Sequence, residues 1–438
     1  MEEIVTPQSS AGAKRKLVDH KAVLLFWWVM WIAYTLNYYG RYNFIACISD
    51  MSVNHGYSKS ALGMMAAVLF LSYGIGQLLS GILGERFSPV WLVFVGIEAS
   101  ACFNLLFAFQ NDILPMTIII ALNGFAQSLT WPPIVRLCAD RLTSQQCAKT
   151  CVNMFTAAPA GMLVTFALCA VLVRRFSWRA CFVFAFCIVS CAACLWVIGM
   201  KRAEYLAEKD GVLEEHSTLL KQPEAEAGSN GRFMAIILSS GLLLMVAATW
   251  ICGLLKEGIS TWMPTFLAEK FQVSASASIG LTMVLPGINL AGIFLAKYVN
   301  QRFFQNEMKT ASIFFGFTMM VVLCIIFAGE TSIVLAIILL TAVVSAMSGT
   351  AVLFAGLVPL YFKDAGRVST IVGMLNSSAS LGSASASLLL GSIADRIGWG
   401  GNYLIWIISS GVGATVCILC IRRWKCFLAK QSKAAFTR

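Results

Sequence analysis

Apolar residues run along this chain in long, nearly unbroken stretches, and the polar clusters between them are short with one exception. A helix needs about 20 consecutive apolar residues to cross a bilayer core. Stretches of that order read as 22–48, 60–84, 88–109, 113–137, 148–172, 177–200, 233–267, 276–299, 309–329, 331–361, 368–393 and 400–421. The pattern predicts an all-α membrane protein of twelve transmembrane helices, since backbone groups in lipid must find their partners within the segment. The exception is 201–232, where Glu204, Glu208, Asp210, Glu214 and Glu215 stand among lysines before Gly228-Ser-Asn-Gly231, the composition of a linker. The expected organisation is a tail at 1–21, six spans in 22–200, a linker at 201–232, six more spans in 233–421 and a tail at 422–438.

Composition agrees with this and narrows it. The chain is 58% hydrophobic and 12% charged with a mean hydropathy of +0.78, which excludes a soluble globular protein. The first apolar run is too long for a cleavable signal core and follows the basic residues Lys14-Arg15-Lys16 and Lys21, so it is expected to stay as a span. Most of the 32 Lys and Arg fall in the tails and in the loops on the same side as 201–232, so both termini are expected in the cytoplasm of a bacterial-type plasma membrane. The net charge of +11 reflects that asymmetry, and no nucleic-acid partner is implied. The 15 cysteines mostly sit singly in apolar runs, as Cys102, Cys169 and Cys324 do, and read as small core residues. Cys191/Cys194 and Cys417/Cys420 have metal-knuckle spacing but no histidine nearby, and neither a metal nor a cofactor is expected.

Two charges change the picture from spans to chemistry. Arg41 lies inside the first span, in Tyr38-Tyr-Gly-Arg-Tyr-Asn-Phe44. On insertion scales a mid-span arginine costs about 2.5–3.5 kcal/mol, so such a residue is kept for a watery cavity or a partner. The alternative is snorkelling to the headgroups, about 10 Å along the helix and across an aromatic cluster. Lys256 is the second charge, in the seventh span, with Glu257 beside it. Adjacent helical positions point about 100° apart, so a direct pair is awkward and separate roles are expected, Glu257 being the candidate coupling group. No other intramembrane acid is expected.

The halves also show internal similarity. Ser177-Trp178 corresponds to Gly398-Trp399 at an offset of 221, and Arg41 to Lys256 at an offset of 215. A parallel repeat would bring both cations toward one axis, where transporters place their sites. Trp131-Pro-Pro133 is expected to bend or open the fourth span. The small-residue run Ser377 to Ser387 is expected to pack helices closely. Asn153, Thr156 and Asn289 are uncharged groups that either line a cavity or bridge helices.

These residues resemble the major facilitator superfamily, and within it the organophosphate:phosphate antiporters. The resemblance rests on Tyr38 to Phe44, Tyr73-Gly74 through Gly81, Gly84-Glu-Arg86, Asn123-Gly with Gln127, Trp131-Pro-Pro133, Trp262 with Pro264, and Asp395-Arg-Ile-Gly-Trp399. It implies two pseudo-symmetric six-helix bundles in a rocker-switch carrier, with the substrate's phosphoryl group held between Arg41 and Lys256. A planar guanidinium donates two parallel hydrogen bonds to such a group, and an ammonium adds a point charge. Tyr38, Tyr42, Gln77, Trp131, Asn153, Thr156 and Asn376 complete the candidate substrate-binding set.

The chain departs from the family pattern where Tyr42 follows the arginine, where Gln77 replaces a lysine, and where Thr156 stands for a histidine. With Glu257 added, the site is less positive than the family's, and a monovalent or bulkier anion enters consideration. The function expected is exchange of an organic phosphate ester (sugar phosphate, glycerol phosphate or phosphoglycerate) for inorganic phosphate, by a monomer in the lipid bilayer. The rivals are a proton-coupled carboxylate carrier and a transporter-like sugar-phosphate sensor. An enzyme is not expected, because no nucleophile, metal or acid/base cluster appears and His20, His55 and His216 sit in polar stretches.

Overall fold

The computed structural model describes residues 16–17, 19–143, 146–147, 150, 153–154, 156–210, 240–328, 331–365 and 368–436. Most of the expected linker and both chain ends therefore lie outside the described residues. The described chain is helical: α1 (His20–Val53), α2 (Lys59–Arg86), α3 (Pro89–Ala108), α4 (Ile113–Ser128), α5 (Trp131–Arg141), α6 (Ala157–Arg175) and α7 (Trp178–Asp210) in the first half. The second half has α8 (Leu242–Phe271), α9 (Ala275–Leu281), α10 (Val284–Val299), α11 (Glu307–Ala328), α12 (Ile333–Val352), α13 (Val368–Ile397) and α14 (Trp399–Phe436). Two pairs, α4 with α5 and α9 with α10, each make one span, and the whole is a twelve-helix, two-bundle membrane fold.

Among the described residues, eleven segments are long and apolar enough to cross a membrane. The exception is α13, where an apolar run over 368–393 was expected. It is a 30-residue helix, but its Ser, Ala and Gly content keeps it from reading as apolar. Its place explains this, because it lies between α2 and α8. A Cβ on Gly382 would stand 1.9 Å from the Trp250 carbonyl oxygen, and one on Gly253 would stand 2.2 Å from that of Ala379. Small residues are what such an approach demands. α7 also continues past the expected end of its span, through Asp210.

The irregular points have local causes. The fourth span breaks after Ser128 and resumes at Trp131, where Pro132 and Pro133 occupy the first turn and supply no backbone N–H. The Thr130 hydroxyl donates to the Gln127 carbonyl at 2.8 Å and so occupies an acceptor near the break. In the second half α12 gives way near the equivalent place to a π-helical turn, Leu353–Leu357. The two tryptophans matched by sequence are equivalent in space as well. Each begins the last helix of its half and engages a carboxylate near the end of that half's first helix. Trp178 donates its backbone N–H to Asp50 at 3.2 Å, and Trp399 donates its indole N–H to Glu269 at 2.9 Å.

Candidate functional site

The site is built outward from α1. Gly40 leaves room for α3 and α4 to press against the backbone, since an added Cβ would meet Asn104 and Ser100 at 3.1 Å and Gln127 at 3.3 Å. Its carbonyl accepts from the side-chain amides of both Asn104 and Asn123 at 2.9 Å. Ser100 accepts from Gln127 and donates to Asn123, each at 2.7 Å, and Gln127 exchanges hydrogen bonds with the Asn37 side chain and carbonyl at 2.9 and 3.1 Å. Asn43 donates to Asn104 at 2.7 Å. These amides would be costly in a low-dielectric interior if left unpaired. Paired except for Asn37 Oδ1, they fix the stretch of α1 that presents Arg41.

Arg41 is 9% exposed, its Nε has no hydrogen-bond partner, and it forms no ion pair among the described residues. It lies over the ring of Tyr73 at 3.7 Å, with Tyr42 at 5.5 Å and Phe70 at 5.8 Å. Such contacts stabilise a cation in part and leave its fork of donors free. Gln77 donates to the Tyr73 hydroxyl at 2.6 Å and so holds that ring. Tyr38 and Tyr42 stack with ring centroids 5.6 Å apart, and Tyr34 continues the row toward Trp131 at 5.4 Å.

Opposite, on α8, the structure corrects one expectation. Lys256 Nζ donates to Glu257 Oε1 at 2.9 Å. The Cα–Cβ bonds do diverge, but four methylenes let the lysine sweep back along the helix to its neighbour. α8 packs against α1, so the helix that carries the Lys256–Glu257 pair is a direct neighbour of the one that carries Arg41 and its tyrosines.

The other candidates are placed less centrally. Thr156 accepts from the Trp31 indole at 2.9 Å and donates to the Asn153 carbonyl at 2.7 Å, both residues being exposed where α6 begins. Asn376 is half-buried on α13 and is not joined to Arg41 by any hydrogen bond among the described residues. Asn289 is buried with its Oδ1 unpartnered.

Three features escaped the sequence reading. Glu98 is an intramembrane acid at the middle of α3, contrary to the expectation that Glu257 stands alone; it accepts from the Ser190 hydroxyl at 3.1 Å, away from the cations. Cys47, Cys169 and Cys181 do not sit singly, for their sulfur atoms lie within 4.8 Å of one another. Glu307, 1% exposed, accepts from the Tyr361 hydroxyl at 2.9 Å and the Trp424 indole at 2.7 Å, tying α11 to α14. The signal for Glu98 was a single carboxylate centred in an apolar run. The other two join residues far apart in sequence and leave no local pattern.

Bonds between the halves gather at one end. Lys59 Nζ lies 2.9 Å from Glu269 and 4.0 Å from Asp395, and Asp395 also accepts from the backbone N–H groups of Lys59 and Ser60 at the start of α2. Ser49 reaches the Pro264 carbonyl at 3.4 Å and Ser278 at 3.2 Å.

Comparison with known proteins gives this architecture its family. Residues 30–380 match the Major Facilitator Superfamily model. The chain is 22% identical over 404 residues to the glycerol-3-phosphate transporter of Bacillus subtilis, covering 90% of this chain and 89% of that one. It is 21% identical over 299 residues to the membrane sensor protein UhpC of Escherichia coli, covering 66% of each. In three dimensions it is similar to a bacterial homologue of the lysosomal transporter Spinster in an inward-facing, unoccupied conformation, with a TM-score of 0.69 at 12% identity over 94% of this chain and 98% of that one. A match over residues 30–380, with relatives of this kind, identifies the chain as a member of the major facilitator superfamily, similar to its organophosphate carriers.

Proposed function

We propose that this protein is a secondary carrier that exchanges an organic phosphate ester for inorganic phosphate by alternating access. The observation that carries the reading is Arg41, a buried guanidinium that forms no ion pair among the described residues, on the helix that packs against the one carrying the basic residue of the opposite half. A buried charge left uncompensated is strongly destabilising, so the resting cavity favours entry of an anion. Arg41 then supplies paired donors, Lys256 a second positive charge, and Tyr38, Tyr42 and Gln77 the surrounding wall, while Trp131, Asn153, Thr156 and Asn376 border the path. The similarity to a glycerol-3-phosphate transporter supports a phosphate ester as the anion.

With both termini cytoplasmic, the end joined by Lys59, Glu269 and Asp395 is the outer one, and the conformation is inward-facing. The bonds there make a testable gate. Asp395→Asn weakens the acceptor of the Lys59 and Ser60 N–H groups, and the expected cost, about 1 kcal/mol for a partly exposed charged contact, favours outer opening roughly fivefold. Labelling of single cysteines at Asn153 or Asn376 from each side of the membrane reads this shift. Unchanged labelling in the Asp395 variant would show that these contacts do not close the cavity.

The transport assay is uptake of phosphate esters and carboxylates into proteoliposomes loaded with phosphate. Counterflow without a pH gradient is expected. Accumulation driven by an imposed pH gradient with no internal phosphate would instead show proton coupling through Glu257, and binding without uptake would show a sensor.

A further inference from the structure

The pairing of Lys256 with Glu257 has a consequence for which anion the cavity accepts. Three charged side chains lie on two helices that pack across the boundary between the halves: Arg41 on α1, and Lys256 and Glu257, 2.9 Å apart, on α8. Their charges sum to one positive. Among the described residues, the other titratable groups that bear on Glu257 and Lys256 are Tyr38, Tyr42 and Cys252, and those that bear on Arg41 are Tyr38, Tyr42 and Tyr73, all of them neutral when protonated. Glu98 is directed to Ser190 on α7 and adds nothing to this set.

From these charges and contacts, we infer that the transported anion binds with a single negative charge: the monoanion of a phosphate monoester, or an ester that is always monoanionic. The inference rests on the phosphate-ester reading above and names its charge state. A monoanion on Arg41 leaves the occluded site neutral. A dianion leaves one negative charge uncompensated in a cavity closed from water, whether or not Lys256 swings from Glu257 to meet it, because Glu257 stays in the site. Burial of charge is tolerated only when it is paired, so the halves close on the first complex and resist closing on the second. Glu257 is on this account a specificity residue: it sets the valence of the cargo by cancelling Lys256. Inorganic phosphate would leave in the same singly charged form, and exchange would move no net charge.

The test uses matched esters of one shape and different charge, glycerol 3-phosphate against glycerol 3-sulfate and glucose 6-phosphate against glucose 6-sulfate, binding to the purified full-length protein from pH 5.5 to 8. The second proton of a phosphate monoester leaves near pH 6. Apparent affinity for the phosphate is therefore expected to fall about tenfold per pH unit above that value, while affinity for the sulfate stays level. In Glu257→Gln the site carries two positive charges, and the fall with pH should vanish or reverse. Should that variant fail to fold, the wild-type pair of profiles still decides. Phosphate binding that holds or tightens as pH rises, with weaker sulfate binding, would overturn the single-charge inference alone. Failure of every ester to bind at any pH would overturn the phosphate-ester reading, and this inference with it.

Discussion

Replacing Arg41 with lysine is expected to leave the protein folded and inserted while removing most of its transport. The charge survives, but the planar fork does not, and with it go the paired donors to a tetrahedral anion and the stacking on Tyr73 at 3.7 Å. A hydrogen bond to a charged group contributes about 1.5–3 kcal/mol. Losing one therefore lowers exchange roughly 10- to 100-fold by the usual conversion. The fold should tolerate the change, because the network around Gly40 binds backbone and neighbouring amides and does not include the guanidinium. The readout is exchange rate per mole of reconstituted protein beside its melting temperature. Near-normal exchange in Arg41→Lys would reduce Arg41 to a generic positive charge.

A second large effect is expected at Gly382, this time on the fold. Its missing Cβ would lie 1.9 Å from the Trp250 carbonyl oxygen, 2.9 Å from that carbonyl carbon and 3.0 Å from the Leu254 nitrogen. All three are backbone atoms of α8, so no side-chain rotation relieves the clash and the helices must separate. Overpacking of a well-packed interior costs about 1–3 kcal/mol, and a bulky residue against backbone belongs at or above the top of that range. Gly382→Leu should therefore yield little monodisperse protein on size-exclusion chromatography. Gly287→Ala is the control, since nothing lies within 4 Å of its Cβ position. Equal yields from both variants would mean that α8 and α13 are not in close contact.

How legible this was in the sequence depended on the length scale of each feature. Long apolar runs carried the spans, and Pro132-Pro133 carried the break in the fourth, because both are local. α13 was read as one more apolar run over 368–393, although its Ser, Ala and Gly content is that of a packing surface. Arg41 stood out because a charge in an apolar segment needs a reason. Its supports did not: Ser100 and Asn104, spaced four apart on α3, are modest polar residues, yet Asn104 donates to the Gly40 carbonyl and Ser100 donates to Asn123, which does the same. The Lys256–Glu257 contact was misjudged, since helical geometry fixes the direction of Cβ but not the end of a flexible chain. Contacts such as Lys59 with Glu269 and Asp395 depend on how the halves meet, which periodicity within a span does not encode.

The central claim, exchange of a phosphate ester for phosphate through the Arg41 cavity, is tested most directly by counting both substrates at once. Proteoliposomes are loaded with labelled phosphate, and release is followed while a differently labelled glycerol 3-phosphate or glucose 6-phosphate is supplied outside. The account predicts that each ester taken up is matched by one phosphate released, with no release when external ester is absent. Uptake of ester with the internal phosphate retained would contradict it.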